Sequence, residues 1–120
     1  MTWLIAVLLA TTYATPGDRW DNGQLACPRV TRAQIEHGVA HRSLPCGTRL
    51  LLCSGRTWRC VAAWVVDRGP YGAICGGRWR VMHRLRPGCK WRGDLDLRPG
   101  TASALGHNGK EPVVVAMRRR

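Results

Sequence analysis

Phenylalanine is absent from this 120-residue chain, and acidic residues are scarce: 7 Asp and Glu stand against 19 Lys and Arg. Lysine itself is nearly missing, since all the basic residues except Lys90 and Lys110 are arginine. No two cysteines are spaced as Cys-x-x-Cys, and no acid lies between Asp67 and Asp94. Each lack excludes something. Without close cysteine pairs or Cys/His clusters, a zinc-chelating module is excluded, and neither metal nor cofactor is expected. The apolar opening stretch is shorter than the ~20 residues that a membrane-spanning helix requires. A disordered basic tail is excluded by what is present, because the chain is 45% hydrophobic and carries six tryptophans.

Residues 1–14 (MTWLIAVLLATTYA) are apolar, uncharged and end in small residues. They read as a secretory signal cleaved after Ala14, although the usual basic start is missing; a retained core strand or helix is the plainer alternative. Removal would leave 106 residues, enough for one domain with a modest core that benefits from covalent staples. The six cysteines supply them. Cys27, Cys46, Cys53, Cys60, Cys75 and Cys89 are an even number at separations of 19, 7, 7, 15 and 14, loop-closing distances that imply a disulfide framework. Export and disulfides together place the protein outside the cytoplasm.

The formal net charge of +12 seeks a polyanion: nucleic acid, anionic wall polymer or acidic membrane surface. Export disfavours nucleic acid. A monomer is expected. The plain reading of the same charge is a solvated face that keeps a small exported protein soluble.

Along the chain, residues 15–26 are rich in turn formers and form an entry loop. A helical turn follows over residues 31–37, with Thr31 and Gln34 in capping-box positions. The best strand signal is a hairpin, TRLLLC (48–53) and WRCVAAWVV (58–66), joined by Ser54-Gly55-Arg56-Thr57. Cys53 and Cys60 lie on opposite arms, near enough in register for a cross-strand disulfide. Asp67-Arg68-Gly69-Pro70-Tyr71 ends the second arm. Residues 72–93 then carry Arg78, Arg80, Arg84, Arg86, Lys90 and Arg92; Cys75 and Cys89 bracket most of the stretch, which reads as a disulfide-closed basic loop. Trp79 and Trp91 stand at its shoulders, and Trp64 is expected in the core. A short helix over residues 98–106 ends at Gly106, residues 111–117 make a last strand, and 118–120 are a basic tail. Five or six short strands with little helix make an all-β barrel.

Three ordered segments resemble a known family. Ala40-His41-Arg42-Ser43-Leu44-Pro45-Cys46-Gly47-Thr48 resembles the AHxxLPxGT stretch of RlpA-like proteins. Val66-Asp67-Arg68-Gly69-Pro70-Tyr71 resembles their DRGPY turn, and Asp96-Leu97 with Ala104-Leu105-Gly106 resembles their DLS…ALG helix. The resemblance implies a six-stranded double-psi β-barrel over residues 27–117, as in expansin- and barwin-like proteins. It also implies Cys27–Cys46, which leaves Cys53–Cys60 and Cys75–Cys89.

Such proteins include lytic transglycosylases, which cut peptidoglycan glycan strands without water and leave an anhydro-muramyl end. By that resemblance Asp67, His41 and Asp96 are catalytic candidates, and Tyr71, Arg68, Trp79 and Trp91 are candidates for holding substrate. Gln24 stands where the family carries its glutamate; Asp21 and Glu36 are the neighbouring acids.

Structural readings stand beside these. Asp67 is also a turn cap, Asp96 a helix N-cap and His41 a hydrogen-bonded loop residue. Three function classes follow: a glycan-cleaving enzyme, a barrel that binds glycan strands or anionic wall polymers, and a protease-inhibitor-type protein binder. A phage-encoded wall-active or virion protein fits the same pattern.

Overall fold

The computed structural model describes residues 2–13 and 25–118. Six strands close a barrel in the order β1 (Trp3–Thr12), β8 (Leu95–Leu97), β2 (Gly38–Ala40), β4 (Cys60–Asp67), β3 (Arg49–Ser54) and β9 (Lys110–Arg118), which returns to β1. Beside it lies a three-stranded antiparallel sheet in the order β6 (Arg78–Val81), β5 (Gly72–Cys75) and β7 (Cys89–Trp91). Two short helices, α1 (Arg32–Glu36) and α2 (Pro99–Leu105), lie against the barrel. The all-β, disulfide-stapled barrel expected from the sequence is therefore present.

The barrel forms because apolar residues alternate with the two-residue period of a strand. In β9, Glu111, Val113 and Val115 are buried, while Pro112 and Val114 face out. Leu50 and Leu52 of β3, Ala63 and Val65 of β4, Leu95 and Leu97 of β8 and Val39 of β2 join them in one core, which Leu105 and Ala102 of α2 cover. Burying a Leu or Val side chain fully stabilises by about 1.5–3 kcal/mol, so this cluster dominates the energetics.

The 3–12 segment has a place that export would remove. Trp3 to Thr11 pair with Arg118 to Lys110 of β9, and Ala10 to Thr12 pair with Leu95 to Leu97 of β8. Ala10 and Thr11 are buried. Without this strand, β8 and β9 would face each other across a gap, and the barrel would stand open. The first half of β1 runs past the core and leaves Trp3, Leu4, Ile5 and Val7 exposed. Cleavage after Ala14, the 15–24 part of the entry loop and the last two residues of the tail lie outside the described residues.

The hairpin has Cys53 directly opposite Cys60. All three disulfides, Cys27–Cys46, Cys53–Cys60 and Cys75–Cys89, join the pairs that the resemblance implied. Such bonds are consistent with an extracytoplasmic protein.

Thr31 and Gln34 form the capping box of α1. Gly106, at φ 65°, ends α2 in the left-handed conformation that favours glycine.

Three expectations are corrected. Trp58 belongs to the hairpin turn and not to a strand, at φ 62° and 86% exposed. Trp64 is half-buried, because its neighbours Ala63 and Val65 take the inward positions. The basic segment is a sheet and not an open loop, since Gly72 to Cys75 pair with both flanking strands.

Among the described residues, no helix is long and apolar enough to cross a membrane.

Candidate functional site

The site is a row across four strands. Ala40 at the end of β2 is in register with Asp67 of β4 on one side and with Asp96 of β8 on the other. Asp96 is in turn in register with Thr11 of β1. Two strand spacings put the Asp67 and Asp96 backbones roughly 9–10 Å apart. A register irregularity between Val39 and Ala40 sets this row, because it brings Asp67 rather than Val66 opposite Ala40.

Asp67 holds the turn that follows it. Its Oδ1 accepts from the backbone N–H of Ala26 and of Arg68, both at 2.9 Å. It thus ties the 25–30 loop to β4, alongside the bond from Cys27 N to Val66 O. The capping reading of Asp67 is met, and its Oδ2 has no hydrogen bond among the described residues.

The N-cap reading of Asp96 is not met. Asp96 lies within β8 and its Oδ1 accepts from Thr11 Oγ1 at 2.6 Å, while Arg98 stands at the N-cap of α2 with no side-chain cap bond. Pro99 begins α2, which lies two residues further on than a cap at Asp96 requires.

Tyr13, which was not among the sequence candidates, lies near enough to both carboxylates to feel their charge. Its hydroxyl is enclosed without a well-formed hydrogen bond among the described residues, and the Arg98 guanidinium lies 5.7 Å from its ring centroid. Burial pushes the phenol well above its ordinary range; the charges of Asp67 and Asp96 push the same way, and Arg98 opposes them. Tyr13 therefore keeps its proton and can act only as a hydrogen-bond donor or acceptor through its hydroxyl. Its signal was the β-prone Thr11-Thr12-Tyr13 run, hidden inside a stretch read for hydropathy alone.

His41 follows Ala40 directly. Its Nδ1 accepts from the backbone N–H of Ser43 at 3.1 Å and of Leu44 at 3.0 Å. That fixes the proton on Nε2, so neutral His41 offers a donor and not a base. Burial lowers its pKa below the usual histidine range, and the neighbouring Arg42 and Arg68 lower it further.

Arg68 turns its guanidinium to the chain. Its Nη1 donates to the carbonyls of His41 at 3.1 Å and Leu44 at 2.5 Å, and its Nη2 lies 3.4 Å from Cys46 Sγ. It shapes the loop that carries His41.

Arg42 was also missed. Its Nη1 donates to Pro70 O at 2.6 Å and Gly93 O at 2.9 Å, its Nη2 lies 3.5 Å from Asp94, and its guanidinium stacks 4.3 Å from the Trp91 ring. Trp91 is thereby half-covered. Tyr71 packs against His83 and Trp91, with ring centroids 4.6 and 6.4 Å away. Trp79 is 40% exposed, on the far side of the β5–β7 sheet from Trp91.

The structure thus brings together Asp67, Asp96 and His41 at one rim. It leaves Trp79 on a separate face and uses Arg68 and Trp91 as framework. Glu36 ends α1 with its backbone against Gly100 of α2. Asp21 and Gln24 lie outside the described residues. Among the described residues, no group of three or more His, Cys, Asp or Glu stands at metal-holding distance.

No protein-family model and no curated protein matches the chain.

Proposed function

We propose that this protein is an extracytoplasmic RlpA-like double-psi barrel that acts on the glycan strands of the cell wall. The observation that supports the reading is the Asp67–Ala40–Asp96 row, with His41 next to it in the chain. Two carboxylates about two strands apart could straddle a sugar chain lying across the barrel rim.

In transglycosylase chemistry the bond from the anomeric carbon to the bridging oxygen breaks as the leaving oxygen takes a proton from a carboxylic acid. The sugar's own primary hydroxyl attacks that carbon, and a base takes its proton. Asp67 is held in place by two backbone donors, Asp96 by the Thr11 hydroxyl, and the Nε2–H of His41 is available to hold a sugar oxygen.

A second reading, binding without cleavage, has its own support. Oδ1 of Asp67 and Nδ1 of His41 are both committed to backbone N–H groups, and Gln24 cannot exchange a proton.

Digestion of purified peptidoglycan by the full-length oxidised protein, read by mass spectrometry, separates the two. Anhydro-muramyl products that vanish in Asp67→Asn and Asp96→Asn establish cleavage. Retention on the wall without products, alike in parent and variants, establishes binding, and indifference to the wall removes both.

A further inference from the structure

The β5–β7 sheet has two unlike faces. Residues in register across a sheet share a face. Ala73 lines up with Arg80 and Trp91, and this face turns to the barrel: Ala73 is fully buried, and Arg42 reaches from the barrel loop to cover Trp91. Ile74 lines up with Trp79 and Lys90 on the other face, and Gly72 with Val81 in the next row.

That outer face is partly exposed. Ile74, Trp79 and Val81 are 38%, 40% and 49% exposed, and Lys90 and Arg92 are exposed beside them. The Trp79 indole lies along the sheet because Gly72 has no side chain; a Cβ there would meet the ring at 3.2–3.7 Å.

The charge around this ledge is of one sign. Lys90 and Arg92 lie beside it and Arg84 and Arg86 follow in the adjoining turn, all exposed, while the exposed Arg78 and Arg80 belong to the opposite face. The ion pairs among the described residues, Arg42–Asp94 and Arg56–Glu111, involve none of them. Cations crowded together repel one another unless an anion joins them, and a flat indole ledge binds rings.

We infer that the outer face of the β5–β7 sheet is a second site, separate from the carboxylate row, that binds an anionic polysaccharide. A sugar ring stacks on Trp79, and carboxylate or phosphate groups along the chain engage Lys90, Arg92 and the arginines of the 82–88 turn. The choice of a sugar polymer rests on the wall reading proposed above; the demand for negative charge does not.

The test uses full-length oxidised protein carrying Asp67→Asn and Asp96→Asn, so that cleavage plays no part. Binding to polygalacturonate, neutral dextran and oligothymidylate is measured at several salt concentrations. Polygalacturonate should bind with steep salt dependence and dextran should not. Lys90→Gln with Arg92→Gln should weaken binding on the order of tenfold, and Trp79→Ala by about fivefold.

These side chains are exposed, and circular dichroism will report that the variants keep the parent fold. Variants that bind as the parent does, or dextran bound equally well, overturn the inference. Oligothymidylate bound as tightly through the same residues overturns the choice of a sugar polymer. Should peptidoglycan be ignored while polygalacturonate still binds through Trp79, Lys90 and Arg92, the wall reading falls and this site stands.

Discussion

The barrel and the β5–β7 sheet are held together by different physics. The barrel has a contiguous apolar core from Ala10 to Val115, with strands paired on both sides. The small sheet has Ala73 as its one fully buried apolar side chain, with Met82 buried just beyond β6. Its order comes from the Cys75–Cys89 bond, the ladder, and one arginine: Arg42 donates to carbonyls at both ends of the segment, Pro70 and Gly93. A region without a core is free to spend its side chains on the surface. That is where the exposed cations and the partly exposed indole lie, whereas the barrel keeps its carboxylates in fixed hydrogen bonds at its rim.

The comparison breaks most completely at β1. A protein beginning at residue 15 is expected to show no cooperative thermal transition by near-ultraviolet circular dichroism, because β8 and β9 lose their shared partner. A normal transition would mean that the barrel closes without residues 3–12, and that the segment is dispensable after export.

Next come substitutions that separate the two regions. Leu97→Ala removes a fully buried side chain from the barrel and should cost about 2–5 kcal/mol in denaturant unfolding. Cys75→Ser with Cys89→Ser releases a loop of 14 residues, worth at most about 3 kcal/mol by the chain-entropy estimate. Its effect should be confined to the small sheet: faster proteolysis within residues 76–88, with little change in the barrel's own transition. Equal loss in both regions would show that the sheet and barrel fold as one unit.

The smallest effect is a titration at the joint between the regions. His41 has its pKa lowered, so its neutral form is favoured by the fold. The stability this contributes is complete above the unfolded value of about 6.5 and is lost as pH falls through the lower folded midpoint. Protonating Nδ1 would displace the Ser43 and Leu44 N–H groups and loosen the loop that leads to Arg42 and Cys46. Nuclear magnetic resonance should place the His41 midpoint below that of an unfolded control peptide. Its amide signals at Ser43 and Leu44 should shift with the same midpoint, and a midpoint at or above the control would contradict the Nδ1 assignment.

Local chemistry in the chain was readable wherever neighbours in sequence settle the outcome. The Thr31–Gln34 capping box, the Gly106 helix end and the Cys53–Cys60 facing pair each depend on a few adjacent residues, and each is present. Alternation in Leu50, Leu52, Val113 and Val115 likewise fixes which side of a strand is apolar, and so the barrel class. Asp67 and His41 could be singled out, but not their partners. Ala26, 41 residues away, and the position of Asp96 opposite Ala40 depend on which strands become neighbours.

The same limit applies to the opening segment and to the arginines. An apolar strand and an export signal share one composition, and the pairing of residues 3–12 with β8 and β9 is a tertiary fact that composition does not show. Arg42 and Arg68 look like further surface charges in a basic chain, yet tertiary contacts make them the braces of the His41 loop and the β5–β7 sheet. By itself the sequence determined the staples, the caps, the apolar faces and the sign of the charge, because these follow from residue type and short spacing. Only the tertiary structure decided which carboxylates share a rim and which cations remain outside, because that depends on contacts between residues far apart in the chain.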